Sequence, residues 1–188
     1  MSQFRVRHLA YLLLAVGAQT PLAAQRPWPS AEARQGTLSF DGKSSLGDFT
    51  GATSEVRGQM TGGPIVSNVR GWVEAPVKTL KTGNDRRDRD LVKTMDAEVY
   101  PNIRFELGGV TVEWERGDSI GIVLDGNFVI HGVTRPEKVR GTVVRGNDGI
   151  HLTASLPMNL HDYKIDRLTR FLILKMDPDI VVHVDVVF

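Results

Sequence analysis

The chain has 188 residues, 41% of them apolar and 24% charged, with a formal charge of +1. That length suits one well-buried domain, and those proportions exclude both a disordered chain and a bundle of membrane helices. It contains no cysteine, which rules out disulfides, thiolate metal sites, c-type haem attachment and cysteine nucleophiles.

Met1 to Ala24 reads as a secretory signal. Arg5 and Arg7 give a basic start, Leu9 to Ala18 is an apolar core too short to span a bilayer, and "QTPLAA" supplies a breaker and small residues. Cleavage is expected after Ala24, with Ala18 as the alternative, and the mature protein is expected in the periplasm or secreted. Removing two arginines and no acid turns the charge from +1 to −1. A near-neutral protein without a basic patch is a poor nucleic-acid binder. Gln25 to Gly36 has no period and reads as a flexible leader, leaving Thr37 to Phe188 as the folded domain.

From Thr37 onward the dominant period is two. Weak alternation runs through Val56, Gly58 and Met60, and through Val69, Gly71, Val73, Ala75 and Val77. The segment "RDRDLVKTMDAEVYPNIRF" (Arg87 to Phe105) then interrupts it. Asp88 or Asp90 can cap a short helix there, with Leu91 and Met95 four apart on one face, and Tyr100-Pro101 leads into a strand over Ile103 to Leu107. Beyond it Val110, Val112 and Trp114 alternate with Thr111, Glu113 and Glu115. Ile120, Ile122, Leu124, Gly126, Phe128 and Ile130 form one apolar face, and Ile150, Leu152, Ala154, Leu156, Met158 and Leu160 another. Ile180, Val182, Val184, Val186 and Phe188 close the pattern. "TGG", "RGD" and "GND" mark turns at Thr61, Arg116 and Gly146.

The spacing predicts an all-β fold of about eight antiparallel strands with one short helical insert. With no helices to cover it, such a sheet buries its apolar face against itself, as a sandwich or, given long strands and short connections, as a barrel. The inner face mixes aliphatics with Gly58, Gly71, Ala75, Gly126 and Ala154, and aromatics are only 7% of the chain. Those small residues point either to a hollow interior or to sheet curvature and bulges. If hollow, its wall is expected from Ile120, Ile122, Leu124, Phe128, Ile130, Leu152, Ala154, Leu156, Val182 and Val184. Leu91 and Met95 would lie over the mouth, and Arg89 would meet a phosphate or carbonyl head group.

No catalytic motif stands out: there is no G-x-S-x-G, no H-E-x-x-H and no phosphate-cradling Gly-Lys loop. His151, His161 and His183 fall on polar faces, which reads as surface histidine rather than a metal site, and Asp162 and Asp166 beside Tyr163 read as solvated carboxylates. No enzyme activity, cofactor or metal is expected, and the oligomeric state is left open.

Four stretches in order resemble the YceI-like, or polyisoprenoid-binding, family: Ser44 to Met60, "GNDRRDRDLVKTMDAEVYPNIRFEL", Leu124 to Val139, and "LPMNLHDYKI" with the closing "DIVVHVDVVF". The sequence departs from the family where His161 to Ile165 replaces an acidic-Phe-Gly-Ile segment, and where Asp90-Leu91 follows Arg89 without the usual His. The resemblance implies an extended eight-stranded lipocalin-like barrel, usually exported, that binds a long isoprenoid or similar amphiphile. It brings no catalytic residues. The expected function is an exported carrier or store for a polyprenyl chain or quinone. The alternatives are a small outer-membrane β-barrel, suggested by the terminal Phe188, and an exported enzyme using the hollow as a substrate pocket.

Overall fold

The computed structural model describes residues 26–45, 47–166 and 176–188, so the signal reading of Met1 to Ala24 lies outside the described residues. Ten strands form a single antiparallel sheet: β1 (Ala31–Glu32), β2 (Gln35–Gly42), β3 (Phe49–Thr53), β4 (Arg57–Thr61), β5 (Arg70–Pro76), β6 (Asn102–Arg116), β7 (Ser119–Ile130), β8 (Val133–Arg145), β9 (Ile150–Asn159) and β10 (Asp179–Val187). One helix of ten residues, α1 (Asp85–Thr94), is inserted between β5 and β6. Among the described residues the count is ten strands, where the sequence suggested about eight. The two-residue β1 is too short to show any period, and in β3 "FTGAT" offers little apolar alternation.

In space the strands run β1-β4-β5-β6-β7-β8-β9-β10-β2-β3, and the sheet curls into a half-barrel. Its margins meet through one continuous stretch of chain. Ala31 and Glu32 pair with β4, and two residues later Gln35 to Asp41 pairs with β10. The expected leader over 25–36 is therefore partly strand. Trp28 within it is buried, with the Arg145 guanidinium 3.9 Å from its ring centre.

Inside lie the alternating residues that period two predicted, among them Ile122, Leu124, Phe128, Ile130, Leu156, Val182 and Val186, together with Leu38 and Phe40 of β2, which the sequence reading did not single out. Burying each such aliphatic side chain stabilises the fold by roughly 1.5–3 kcal/mol. β6 breaks the rule usefully. Its pairing with β7 shifts between Leu107 and Gly109, and again between Val112 and Trp114. The first bulge lets Leu107 and Val110, three apart, both serve the core. The second turns Trp114 out of the face expected for it: it is 39% exposed and its ring lies against Gly121, where a Cβ would collide with the indole.

One seam interrupts the wall. β8 pairs with β9 only over Arg140 to Arg145, so Val133 to Val139 has no partner on that side. The short 3-10 turn Leu160–Tyr163 fills the gap. Tyr163 is 0% exposed, and its hydroxyl donates to Glu137 Oε1 at 3.1 Å. That accounts for two charged residues, Arg135 and Glu137, at positions paired with inward-facing Phe128 and Gly126. Arg135 Nη1 lies 3.8 Å from Asp162, with its guanidinium 6.0 Å from the Tyr163 ring centre.

Candidate ligand cavity

α1 starts where Asn84 caps it, with Oδ1 accepting from the backbone N–H groups of Arg86 and Arg87 at 3.1 and 3.0 Å. Neither Asp88 nor Asp90, the expected caps, does this, because the helix begins before them. Asp88 turns back instead: Thr82 donates to its Oδ1 from its N–H at 2.8 Å and from its hydroxyl at 2.7 Å. Burial works to raise this carboxyl, but the hydrogen bonds from Thr82, aided by the charges of Lys81 and Arg87, outweigh it and hold the carboxyl below its ordinary range. The helix is thus tied to the chain that enters it. At its other end Tyr100 packs edge-on against His131 in the β7–β8 turn, with ring centres 5.0 Å apart. That turn needs positive φ at both His131 (51°) and Gly132 (72°), and a side chain at Gly132 would collide with the Tyr100 ring.

Held this way, α1 lies across the open end of the half-barrel over a cavity of about 410 Å³. The wall is hydrocarbon: Phe40, Leu80, Ile103, Phe128, Ile130, Met158, Leu160, Ile165, Met176, Ile180 and Val182, with Leu91 and Met95 from the helix side. The rim carries Asp48 and Asp90 against Arg86 and Arg87, two charges of each sign. A second, smaller void of about 60 Å³ lies at the other end, lined by Trp28, Met60, Ile122, Leu124, Leu152 and Phe188 among others.

The expected wall residues divide accordingly. Phe128, Ile130, Val182, Leu91 and Met95 line the large cavity, while Ile122, Leu124 and Leu152 line the small void. Leu156 is core between them, and Ile120 is a half-buried residue packed on the core. Ala154 and Val184, although packed on the core, border a shallow groove outside the sheet. Arg89 is not at the mouth. A helix turns about 100° per residue, so Arg89 is on the side opposite Leu91. It borders a charged groove with Lys81, Asp85, Asp88 and Glu98. Arg87, one turn before Leu91, takes the mouth position, and the spacing 87–91–95 is the signal that identifies it.

The small residues, which left a hollow and sheet curvature both open, divide between close backbone approach and packing. Gly71 lines the small void, but a Cβ there would strike the Gln59 backbone, and the space beside Gly126 is filled by the Phe105 ring. The outer histidines each meet a carboxylate: His151 with Asp148 at 3.0 Å, His161 with Asp166 at 2.9 Å and His183 with Asp41 at 3.0 Å. Asp41 also accepts from the Thr50 hydroxyl, and these hydrogen bonds, Thr50's foremost, hold its carboxyl below the usual range.

An antiparallel half-barrel with an apolar hollow, a helix across its mouth and a charge-balanced rim defines a class of ligand-holding β-proteins. Within that class the chain belongs to the YceI-like domain family, whose model matches residues 30–188. Among solved structures it is similar to Burkholderia cenocepacia BcnA, at 15% identity over 81% of this chain and 96% of that one, with a TM-score of 0.68. It is also similar to a polyisoprenoid binding domain from Saccharophagus degradans implicated in plant cell wall breakdown, at 13% identity over 85% and 97% of the two chains and a TM-score of 0.66. The Campylobacter jejuni YceI protein follows at 18% identity, 72% and 81% coverage and a TM-score of 0.56. At these identities the likeness is one of fold. No curated protein sequence matches the chain.

Proposed function

We propose that this protein is an exported binding protein that holds the apolar chain of an isoprenoid-type lipid, a polyprenyl chain or a quinone, inside a lipocalin-like half-barrel for carriage or storage. One observation carries the reading: a cavity of about 410 Å³ with a hydrocarbon wall and a polar rim, within the roughly 300–1,000 Å³ typical of small-molecule sites. The fold shared with a domain described as polyisoprenoid binding supports it. Leu91 and Met95 act as the lid, and Arg87 rather than Arg89 is placed to orient a head group.

The outer-membrane alternative fares badly against the outward face. Asp125, Asn127, Lys138, Arg140, Thr153, Ser155 and Asp185 are exposed there, where a membrane-spanning barrel presents an apolar band to lipid. An enzyme would need a nucleophile or base aimed into the cavity, and among the described residues the carboxylates that border it, Asp48 and Asp90, stand at the rim beside Arg86 and Arg87 while the inner wall is hydrocarbon.

The direct test is to purify the protein from the cells that make it, extract it with organic solvent and identify any bound lipid by mass spectrometry. A stoichiometric isoprenoid chain is the expected result, and a polar metabolite or nucleotide in its place would end the proposal. N-terminal sequencing of the same sample should begin at Gln25, and a retained Met1 would remove export from the reading.

A further inference from the structure

We infer that the outer face of the sheet carries a second binding site, a groove for a linear, uncharged oligosaccharide built on the exposed indole of Trp114. It is independent of the lipid-binding reading, because it lies on the side of the sheet away from the cavity.

The strand registers lay the site out. Trp114, Gly121, Thr142, Thr153, Asp185 and Thr37 are paired in turn across β6, β7, β8, β9, β10 and β2, so they form one row across the outer face. Arg140, Ser155, His183 and Ser39 form a parallel row two residues along their strands, on the same face. Between the rows run Gly141, which has no side chain, and Ala154 and Val184, which pack on the core, and the result is a shallow groove. Six strands at a spacing of about 4.8 Å give it a length of about 24 Å along the sheet, which suits a chain rather than a single small molecule.

The chemistry of the groove selects a sugar. A Cβ on Gly121 would meet Cε2, Nε1 and Cδ1 of the Trp114 indole together, so the ring lies flat on the backbone there while Trp114 stays 39% exposed. The face of an indole is electron-rich and attracts the weakly positive C–H groups on the face of a pyranose ring. Beyond it stand the hydroxyls of Thr142, Thr153, Thr37, Ser155 and Ser39, which both donate and accept, as sugar hydroxyls do. Two of the charges in the groove are already engaged: Arg140 Nε donates to Glu113 Oε1 at 3.2 Å, and His183 Nε2 lies 3.0 Å from Asp41 Oδ2. Asp185 adds a carboxylate, a strong acceptor for hydroxyl groups, and leaves the groove net negative. That sign disfavours phosphates, nucleic acid and acidic glycans. One aromatic among so many hydroxyls is also unlike the apolar centre of a stable protein interface.

The experiment is calorimetric titration of the purified protein with the dimers and hexamers of β-1,4-linked glucose, mannose and N-acetylglucosamine. At least one hexamer should bind with a Kd below about 1 mM, and at least tenfold tighter than its own dimer. Trp114→Ala should weaken that hexamer at least tenfold. Thr153→Arg, which lays a long side chain across the middle of the groove, should do the same in a folded protein. Both variants should keep the wild-type affinity for a prenyl alcohol, which reads the cavity on the other side of the sheet. Failure of all three hexamers to bind overturns the inference, as does hexamer binding that survives Thr153→Arg. A wild-type dimer in sedimentation that Trp114→Ala splits, with no saccharide bound, assigns the face to a second copy of the chain and overturns it as well.

Discussion

The Arg87 guanidinium sits 4.1 Å from the centre of the Phe49 ring, and Phe49 in turn meets Phe40 edge-on with ring centres 6.0 Å apart. This row of three runs from helix α1, through the start of β3, into the cavity wall, so the lid is clasped to the sheet across the mouth. A cation over an aromatic face is worth about 1 kcal/mol at a half-exposed site, or about fivefold in an equilibrium constant. Arg87→Ala should therefore release a fluorescent prenyl alcohol about fivefold faster, as read by stopped flow. Arg89→Ala, on the far side of the helix, should release it at the wild-type rate. Equal effects from both arginines would show that charge near the helix matters and the clasp does not.

Inside and outside are assigned by residue parity, and a charge is the sharpest probe of that assignment. Leu124 is 6% exposed at the boundary of the small void, so Leu124→Arg buries an unpaired guanidinium at a cost of roughly 3–5 kcal/mol, comparable to the stability of a small domain. Thr153 faces water, and Thr153→Arg should cost less than about 0.5 kcal/mol. Urea denaturation of the two variants measures the difference, and similar midpoints would reverse the assigned faces.

The seam between β8 and β9 depends on Tyr163. Burial, then the charge of Glu137 and the hydrogen bond to it, push the phenol upward from 10.0. The fold thus favours the neutral hydroxyl, and this contribution is fully present below about pH 10 and lost as the pH rises above it. Tyr163→Phe should lower stability by about 1.5–3 kcal/mol near neutral pH, the usual worth of a hydrogen bond to a charged group. It should also lose less than wild type on going from about pH 8 to about pH 11. Melting temperatures at the two pH values test this, and parallel losses would leave the hydroxyl without a role in the seam.

Asp88 gives the opposite sign. Its depressed carboxyl stabilises the fold above the ordinary value of 3.8, and that stabilisation drains away as the pH falls through the lower, folded value. Asp88→Asn should cost about 1–3 kcal/mol near neutrality, and its gap to wild type should narrow as the pH falls below the ordinary value of 3.8. Amide exchange in α1 localises the effect. A gap that stays constant with pH would mean that the charge of Asp88 contributes nothing to anchoring the helix.

Strands β7, β9 and β10 were legible almost to the residue because each has one buried and one wet face, which is the condition under which period two appears. Strand β8 lacks that condition over Val133 to Val139: Arg135 and Glu137 take inward-paired positions and meet Tyr163 in the seam, a contact made far along the chain. The outward turn of Trp114 follows from a bulge, which adds a residue without changing composition, so alternation alone placed it on the wrong face. Of the cavity, the strands' share was readable from parity. The helix's share is only half readable: the four-residue spacing that joins Leu91 to Met95 reaches back to Arg87 as well, whereas charge alone does not tell Arg87 from Arg89. The placement of Phe105 has no local signal, because its ring fills the room left by Gly126 in a neighbouring strand.

The meeting of β2 with β10 bears on how the protein folds. Arg34 donates from its side chain to the Phe188 carbonyl at 2.7 Å, 154 residues away in sequence, and the ladder beside it joins Gln35 to Val187. Contacts of that span place the fold among slow-folding topologies, in which loop-closure entropy is spent long before the pairing compensates for it. A chain that stops short of β10 has unpaired edges on both β9 and β2 and an apolar interior open between them, and exposed edges of that kind invite pairing with other chains. The cavity wall is complete only once β10 pairs with both neighbours, and a chain without that strand exposes the edges and apolar interior through which chains associate.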